Sequence, residues 1–348
     1  MSNVLHTALK QILEHKQTLT RAQAAGLLNA LLDAMLDSSA NDLKIAALLG
    51  ALAARGETID ELAGFVDALR ARATPLPLSA PERALCIDTC GTGGDLSGTF
   101  NISTAAALIA AAAGATVAKH GNRAVTSRCG SADVLEALGI PVDLTPAEAA
   151  EALRRHRFAF LPAPSYHPAM KAVMPIRRAL GVRTAFNILG PMSNPAAAPA
   201  QVIGVYAPHL VPIVANVLAA LSTRHAFVVH GQPGLDELSI SGPSSVAEVR
   251  GSQVTLSTVT PAGFGLQAAP IETLAGGDAQ NNAAILRAIF SGVAGPPRDV
   301  AVMNAAAVLV VAAPAANLAP DFLAAAALAQ RAIDSGAVTA LVAALASK

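Results

Sequence analysis

The pattern of the chain changes once, at the prolines Pro75, Pro77 and Pro81, and that change limits what it can fold into. Upstream, over residues 4–72, apolar residues recur at helical spacing and no segment alternates as a strand would. Four helices are expected there, with polar breaks at residues 15–19, 38–41 and 56–57. Thr20 with Gln23 and Thr58 with Glu61 have capping-box spacing, and Gly56 stands where a helix should end. Downstream, strand-like and helix-like segments alternate: 85–89, 102–113, 116–119, 132–138, a helix opened by Thr145-Pro146-Ala147-Glu148, then 158–161, 201–206 and 226–230. Residues 246–260 alternate as a hairpin or ribbon, and the tail returns to helices. This is the pattern of an α/β protein: a small helical domain, and a larger domain with a central, mostly parallel sheet flanked by helices. The helical domain is expected at 1–73, joined by part of the proline- and glycine-punctuated stretch 162–195, and the α/β domain at 80–161 and 196–348.

Composition narrows the partners. A chain of 348 residues that is 53% hydrophobic can bury a large core without disulfides or metal staples. Its 24 Lys and Arg balance its 24 Asp and Glu with no block of one sign, which argues against a nucleic-acid stripe or a membrane-surface patch. Small molecules and further copies of the chain remain. Cys86, Cys90 and Cys129 are an odd set behind no apolar leader, so a reducing cytoplasm and free thiols are expected. The apolar runs 105–113 and 305–313 are too short to cross a bilayer and read as buried helices. Leu27, Leu28, Leu31, Leu32, Met35 and Leu36 form a stripe with two readings: core alone, or core plus the face of a second subunit.

Residues 88–95 read Asp88-Thr89-Cys90-Gly91-Thr92-Gly93-Gly94-Asp95, and Thr99-Phe100-Asn101-Ile102-Ser103-Thr104 then opens an alanine-rich helix. Glycines between a strand and a helix let the backbone turn tightly with its N–H groups inward, and the helix adds the positive end of its dipole. The spacing is neither the dinucleotide fingerprint nor the Walker pattern, so the loop reads as a generic anion cradle or as a plain turn. Lys119-His120-Gly121-Asn122-Arg123 after the strand 116–118 brings two cations to a turn, which suits a phosphorylated substrate or a solvated basic loop. Ser127 and Gly130-Ser131 before a helix offer a second phosphate site, with Ser131 as a plain N-cap the alternative. Asp236-Glu237, at the carboxyl end of the strand 226–230 and after the turn 231–234, supplies hard oxygen ligands for one or two Mg²⁺ against a diphosphate, or is an acidic turn. Arg177, Arg178 and Arg183 need anionic partners, either a substrate carboxylate or the protein's own acids. His120, His167 and His230 are too scattered to suggest zinc.

Taken in order, GTGGD at 91–95, TFNIST at 99–104, KHGNRAVTS at 119–127, GSADVLEALG at 130–139, HPAMK at 167–171, RRALGVRTAFNILGP at 177–191 and the pair at 236–237 resemble the anthranilate phosphoribosyltransferases over almost the whole chain. The resemblance implies transfer of a phosphoribosyl group from 5-phosphoribosyl 1-diphosphate to the amine of anthranilate, the second step of tryptophan synthesis from chorismate. It implies that Gly91, Gly94, Asp95, Thr99, Asn101, Ile102, Ser103, Thr104, Lys119, His120, Gly121, Asn122, Arg123, Ala124, Val125, Thr126, Ser127 and Ser131 contact the diphosphate substrate. Gly91, Asn122 and Arg177 would contact anthranilate, Arg177 through the carboxylate, while His120 and Tyr166 would line its approach. Two Mg²⁺ per monomer are implied, one on Ser103 and Glu237 and one on Asp236 and Glu237. No residue is assigned as acid or base, because an aromatic amine is already neutral and needs positioning first. A cytoplasmic homodimer joined through the helical domain, with no nucleic-acid or membrane partner, completes the expectation. Met192-Ser193 stands where the family has Leu-Thr and residues 96–98 fall in a variable stretch, but neither removes a required charge. A pyrimidine-nucleoside phosphorylase would share the fold but not the acidic pair and KHGNR. A nucleic-acid-binding relative would need a basic groove and would lose the glycine loop or the acidic pair, and a structural module would lack activity.

Overall fold

The computed structural model describes residues 2–37, 41–124, 128–316 and 321–347. It opens with α1 (Ser2–Leu9), which runs into a π-helical turn (Lys10–Glu14), followed by α2 (Arg21–Asp37), α3 (Asp42–Arg55) and α4 (Ile59–Arg72). Both expected capping boxes are formed: Thr58 with Glu61 at α4, and Thr20 with Gln23 at α2. Gly56 ends α3 with φ +83°, a conformation in which a side chain is strained. Glu61 is wholly buried, where its carboxylate accepts Leu19 N (2.8 Å) and Thr58 N (2.9 Å) and pairs with Arg55. Burial opposes ionisation there, but Arg55 and these N–H groups hold the Glu61 carboxyl below its usual range.

Leu27, Leu28, Leu31 and Leu32 are all buried inside the chain, with α2 packed along α4. Their part of the stripe is core, and it leaves no leucine face for a second subunit; the side chains of Met35 and Leu36 lie outside the described residues.

After the prolines come α5 (Ala80–Leu85), β1 (Cys86–Gly91), α6 (Ile102–Ala112), β2 (Thr116–Gly121), α7 (Ser131–Ala137), α8 (Pro146–His156) and β3 (Phe158–Pro162). Then follow α9 (Ala163–Tyr166), α10 (Met174–Leu180), α11 (Phe186–Met192), β4 (Ala200–Gly204), α12 (Leu210–Ala220), β5 (His225–Gly231), β6 (Ser244–Arg250) and β7 (Gln253–Val259). The chain closes with α13 (Ala279–Phe290), α14 (Pro296–Ala316), α15 (Phe322–Asp334) and α16 (Ala337–Ala346). Short 3-10 turns link several of these. α5 was not expected; a capping box of Ser79 and Glu82 with Pro81 in its first turn turns the linker into a helix and delays β1 by one residue.

The sheet order is β3-β2-β1-β4-β5-β6-β7, parallel from β3 to β5 and antiparallel through the β6–β7 hairpin. Alternate residues feed opposite cores: Val202, Phe227 and Val229 face α6 and α14, whereas Ile203, Ala226 and Val228 face α12 and the helical module. The 163–192 excursion packs with the module, since Val173, Ile176, Phe186 and Leu189 share its apolar core and Arg70 Nε donates to Met192 O at 2.9 Å. The run 305–313 proves to be part of the 21-residue α14, whose 18-residue window is apolar and long enough to span a membrane, contrary to the length expected from the run alone. Its place in the core accounts for that composition: residues 300–309 are almost wholly inaccessible, packed on α6 and α15.

Candidate active site

Between β3 and β4 the chain crosses from one side of β1 to the other, so the crevice at the carboxyl ends of β1 and β4 is the switch point of the sheet. The sequence candidates gather there. β5 ends at Gly231, which exchanges hydrogen bonds with Leu235 (2.9 and 2.7 Å) across a tight turn, and the turn returns Asp236 and Glu237 over the strand ends. Glycine makes room for them. A Cβ on Gly204 would stand 1.5 Å from the Asp236 carbonyl oxygen, and one on Gly91 would stand 2.4 Å from Asp236 Oδ2.

The two carboxylates brace the glycine loop. Asp236 Oδ2 accepts Gly93 N at 2.7 Å, and Glu237 Oε1 accepts Ser103 N, in the first turn of α6, at 3.0 Å. Thr92 N donates to Gly204 O at 2.8 Å. Thus N–H groups that the sequence offers to a bound anion are held by the protein itself. Asp95 faces the same place, with Oδ2 3.5 Å from Asp236 N and Oδ1 accepting Ser97 N at 3.3 Å. Burial raises the pKa of both carboxyls of the pair; Asp95 adds to the effect on Asp236, and Asp236 to that on Glu237.

Lys119 and His120 belong to β2 itself rather than to the loop after it, and both are buried, so the solvated-loop reading fails for them. The β1–β2 ladder pairs Ile87 with Val117, and beyond that point side chains take over. Asp88 Oδ1 accepts His120 N at 3.0 Å, while Lys119 Nζ donates to Thr89 O at 2.6 Å and lies 3.3 Å from Ser103 Oγ. Burial pushes Asp88 up to about 6 and, with His167 5.3 Å away ring to ring, pulls His120 down to about 3. Tyr166 is buried, its hydroxyl without a partner.

Around this centre, Asn101 bonds Cys129 O (3.2 Å) and Asn282 Nδ2 (2.9 Å). Thr99 Oγ1 lies 3.3 Å from Ser97 Oγ; Ile102 and Thr104 are buried on α6. Gly121 touches the Phe160 ring, which would lie 2.8 Å from a Cβ there. Asn122 Oδ1 accepts Arg123 N at 2.8 Å, and the Arg123 guanidinium is spent on Glu136 and Asp133 at the surface. Asp133 Oδ2 accepts Ala124 N (2.9 Å) and Gly130 N (2.8 Å), so Gly130 caps α7 and Ser131 is its first helical residue. Val125, Thr126 and Ser127 lie outside the described residues.

Among the described residues no carboxylate comes within ion-pair distance of Arg177, Arg178 or Arg183. Arg177 is half-buried on the Phe186 ring, 5.6 Å from its centroid, and burial lowers its pKa.

Several contributors escaped sequence reasoning: Asp88, which bridges the parted strands; Gly204 and Gly231, which admit the acidic pair; and Asn304, which binds the backbone of Leu238 from α14. A lone amide inside the apolar run of α14 was the signal for the last. A hollow of about 360 Å³ lies beside the β6–β7 hairpin, lined by Pro208, Val211, Leu256 and Thr258 among others, with no titratable group in its wall.

Residues 83–339 match the model of the glycosyl transferase family a/b domain, and residues 6–73 that of the family's helical bundle domain. The chain is 50% identical over 324 residues to an anthranilate phosphoribosyltransferase of Moorella thermoacetica, covering 93% of this chain and 92% of the relative. It is 48% identical over 337 residues to one of Solibacter usitatus, covering 96% and 98%. A solved anthranilate phosphoribosyltransferase from Thermus thermophilus superposes with a TM-score of 0.88 at 39% identity, covering 99% of this chain and 98% of its own. The Saccharomyces cerevisiae enzyme in complex with PRPP and Mg gives 0.88 at 27% identity, covering 99% and 97%.

Proposed function

The chain belongs to the anthranilate phosphoribosyltransferases of the glycosyl transferase family, and from that premise we propose that the crevice at the ends of β1, β2, β4 and β5 is where it works. The enzyme transfers the 5-phosphoribosyl group of 5-phosphoribosyl 1-diphosphate to the amine of anthranilate, giving N-(5-phosphoribosyl)anthranilate and diphosphate, a step of tryptophan biosynthesis. The observation that carries the site is the convergence of Gly93 and Ser103 on Asp236 and Glu237, with Lys119 Nζ brought from β2 to 3.3 Å from Ser103 Oγ.

In the reaction the bond from ribose C1 to the diphosphate oxygen breaks, its electron pair leaves with diphosphate, and the amine nitrogen bonds to C1 and gives up one proton to solvent. The demand is for positive charge at the leaving group more than for a strong base. Lys119 supplies a fixed ammonium, and its bonds to Thr89 O and Ser103 Oγ aim it. The phosphates lie against the glycine loop and the first turn of α6 through groups other than the N–H groups of Thr92, Gly93 and Ser103, which the protein already holds, with Gly91, Gly94, Asp95, Thr99, Asn101 and Ser131 around them. Arg177 takes the anthranilate carboxylate, and Gly91 and Asn122 orient the ring, so that the amine faces C1.

Magnesium fits Asp236 and Glu237: two buried, mutually repelling carboxylates are stabilised by a divalent cation. Bound there, Mg²⁺ supplies charge against the departing diphosphate. Among the described residues no group of three or more His, Cys, Asp or Glu could hold an ion, so its shell must be completed by substrate oxygens and water. We assign two ions, one shared by Asp236 and Glu237 and one by Glu237 and Ser103; at the second, Lys119 competes for the Ser103 hydroxyl.

The helical module 1–73 with part of 162–195, and the α/β domain 80–161 with 196–348, form the two walls. A homodimer through the helical module must use residues other than the buried α2 leucines; Val4, Leu13 and Leu43 are exposed there, and sedimentation velocity reads the state. Three free cysteines suit the reducing cytoplasm. Mixing the protein with 5-phosphoribosyl 1-diphosphate, Mg²⁺ and anthranilate should extinguish anthranilate fluorescence; constant fluorescence with active substrates refutes the assignment.

A further inference from the structure

Arg183 stands where the two substrate walls meet. It follows Arg177 by six residues, beyond the helix end at Gly181, and it reaches across to the glycine loop. Arg183 Nη2 donates to Gly94 O at 2.8 Å, and its guanidinium carbon lies 3.9 Å from the centroid of the Tyr206 ring. Tyr206 N in turn donates to Thr92 Oγ1 at 3.1 Å. Two points of the glycine loop, Thr92 and Gly94, are therefore held from one stacked pair, whose arginine belongs to the segment that carries Arg177. The same guanidinium has no carboxylate partner among the described residues, so the ring and the Gly94 carbonyl alone fix its place.

We propose that Arg183 is a positioning residue that couples the two substrate sites: ordering the glycine loop around a diphosphate orders the 177–184 segment, and the reverse. The proposal rests on the function assigned above. Coupling of this kind is reciprocal, and each ligand must tighten the other by one common factor. A lysine cannot replace the contact fully, because the flat fork both stacks and donates.

Mg²⁺-diphosphate and anthranilate form a pair that cannot react, which allows the coupling to be read by isothermal titration calorimetry. In the wild type, anthranilate should bind at least about 5-fold tighter with saturating Mg²⁺-diphosphate than without it. In Arg183→Ala the ratio should fall towards one, while anthranilate alone binds within about 2-fold of wild type and the melting temperature is unchanged. Tyr206→Phe should keep the ratio and Tyr206→Leu should lose it. A full ratio in Arg183→Ala overturns the proposal, as does a ratio of one in the wild type with both ligands bound. A rise in the Kd of Mg²⁺-diphosphate with the ratio intact also overturns it, by making Arg183 a direct phosphate contact. If the wild type binds neither ligand, the functional assignment fails first and the coupling with it.

Discussion

Asn304 holds both polar groups of Leu238: its Oδ1 accepts Leu238 N at 2.9 Å and its Nδ2 donates to Leu238 O at 2.9 Å. The amide is buried in α14, and its Nδ2 also donates to Val300 O at 2.9 Å. The residue so clasped immediately follows Glu237, so a core helix sets the backbone from which the acidic pair projects. In Asn304→Ala two buried backbone groups lose their partners, and stability should fall by about 1–3 kcal/mol in urea unfolding. Turnover should fall about 10-fold or more, with a raised Mg²⁺ requirement. Asn304→Asp keeps the acceptor but sets a buried carboxylate against the carbonyl oxygens of Leu238 and Val300, and should cost at least as much as alanine in both measurements.

Glu237→Gln separates stability from activity. The glutamine still offers Oε1 to Ser103 N, but it removes one of two adjacent buried charges. The ligand-free variant should melt at a temperature equal to or above that of wild type, while turnover at saturating Mg²⁺ falls at least about 100-fold. Wild-type turnover in this variant would exclude the carboxylate from metal binding.

Gly204→Ala tests the close approach of the acidic turn. The new methyl cannot coexist with the Asp236 carbonyl, so the 235–237 segment must move. Activity should be lost to below about 1% of wild type, with a stability loss of about 1–3 kcal/mol. Gly190→Ala, inside α11 where a Cβ meets nothing within 4 Å, is the control for glycine replacement and should leave stability unchanged or raise it by up to about 1 kcal/mol.

Acid should destabilise the fold through His120. Its folded pKa is pulled from 6.5 down to about 3 by burial and by His167, so between those values the unfolded chain binds the extra proton. Stability is then intact above pH 6.5 and declines as pH falls, by up to about 1.4 kcal/mol per pH unit for this group. Asp88 acts in the opposite sense, because its carboxyl is pushed from 3.8 up to about 6 and the folded state takes the proton first. Denaturant midpoints measured from pH 7 to 4 should therefore show a steeper acid decline in wild type than in His120→Asn. Equal slopes would remove His120 from the acid response.

Much of the fold was readable because local signals agreed. The capping boxes at Thr58 and Thr145 fixed helix starts, and short, continuously apolar runs such as 226–230 marked strands buried on both faces, whose two faces meet two cores. The glycine loop and the acidic pair stood out as candidates, each with a plain turn as its alternative, and the fold brings the two together. What could not be read was contact at long range. Nothing local to Gly204 announces that Asp236 will lie on it, and nothing near Arg123 says that Glu136 will claim its guanidinium. The leucine stripe of α2 measured width alone, and width does not tell an internal neighbour from a second subunit. Residues 305–313 misled for a related reason: a helix of Ala and Val continues as far as its caps allow, whatever the composition suggests about its length.

Asp236 and Glu237 are consecutive in the chain, yet they grip Gly93 and Ser103, ten residues apart. The stretch between is thereby tied off at both roots, as a purse is by its string, and its span is set by a single peptide unit on the far side of β4. Such a noose needs no stiffness of its own, because its anchorage fixes its ends. Sequence drift at residues 96–98 can then proceed without altering the mouth of the site, provided the two anchors hold.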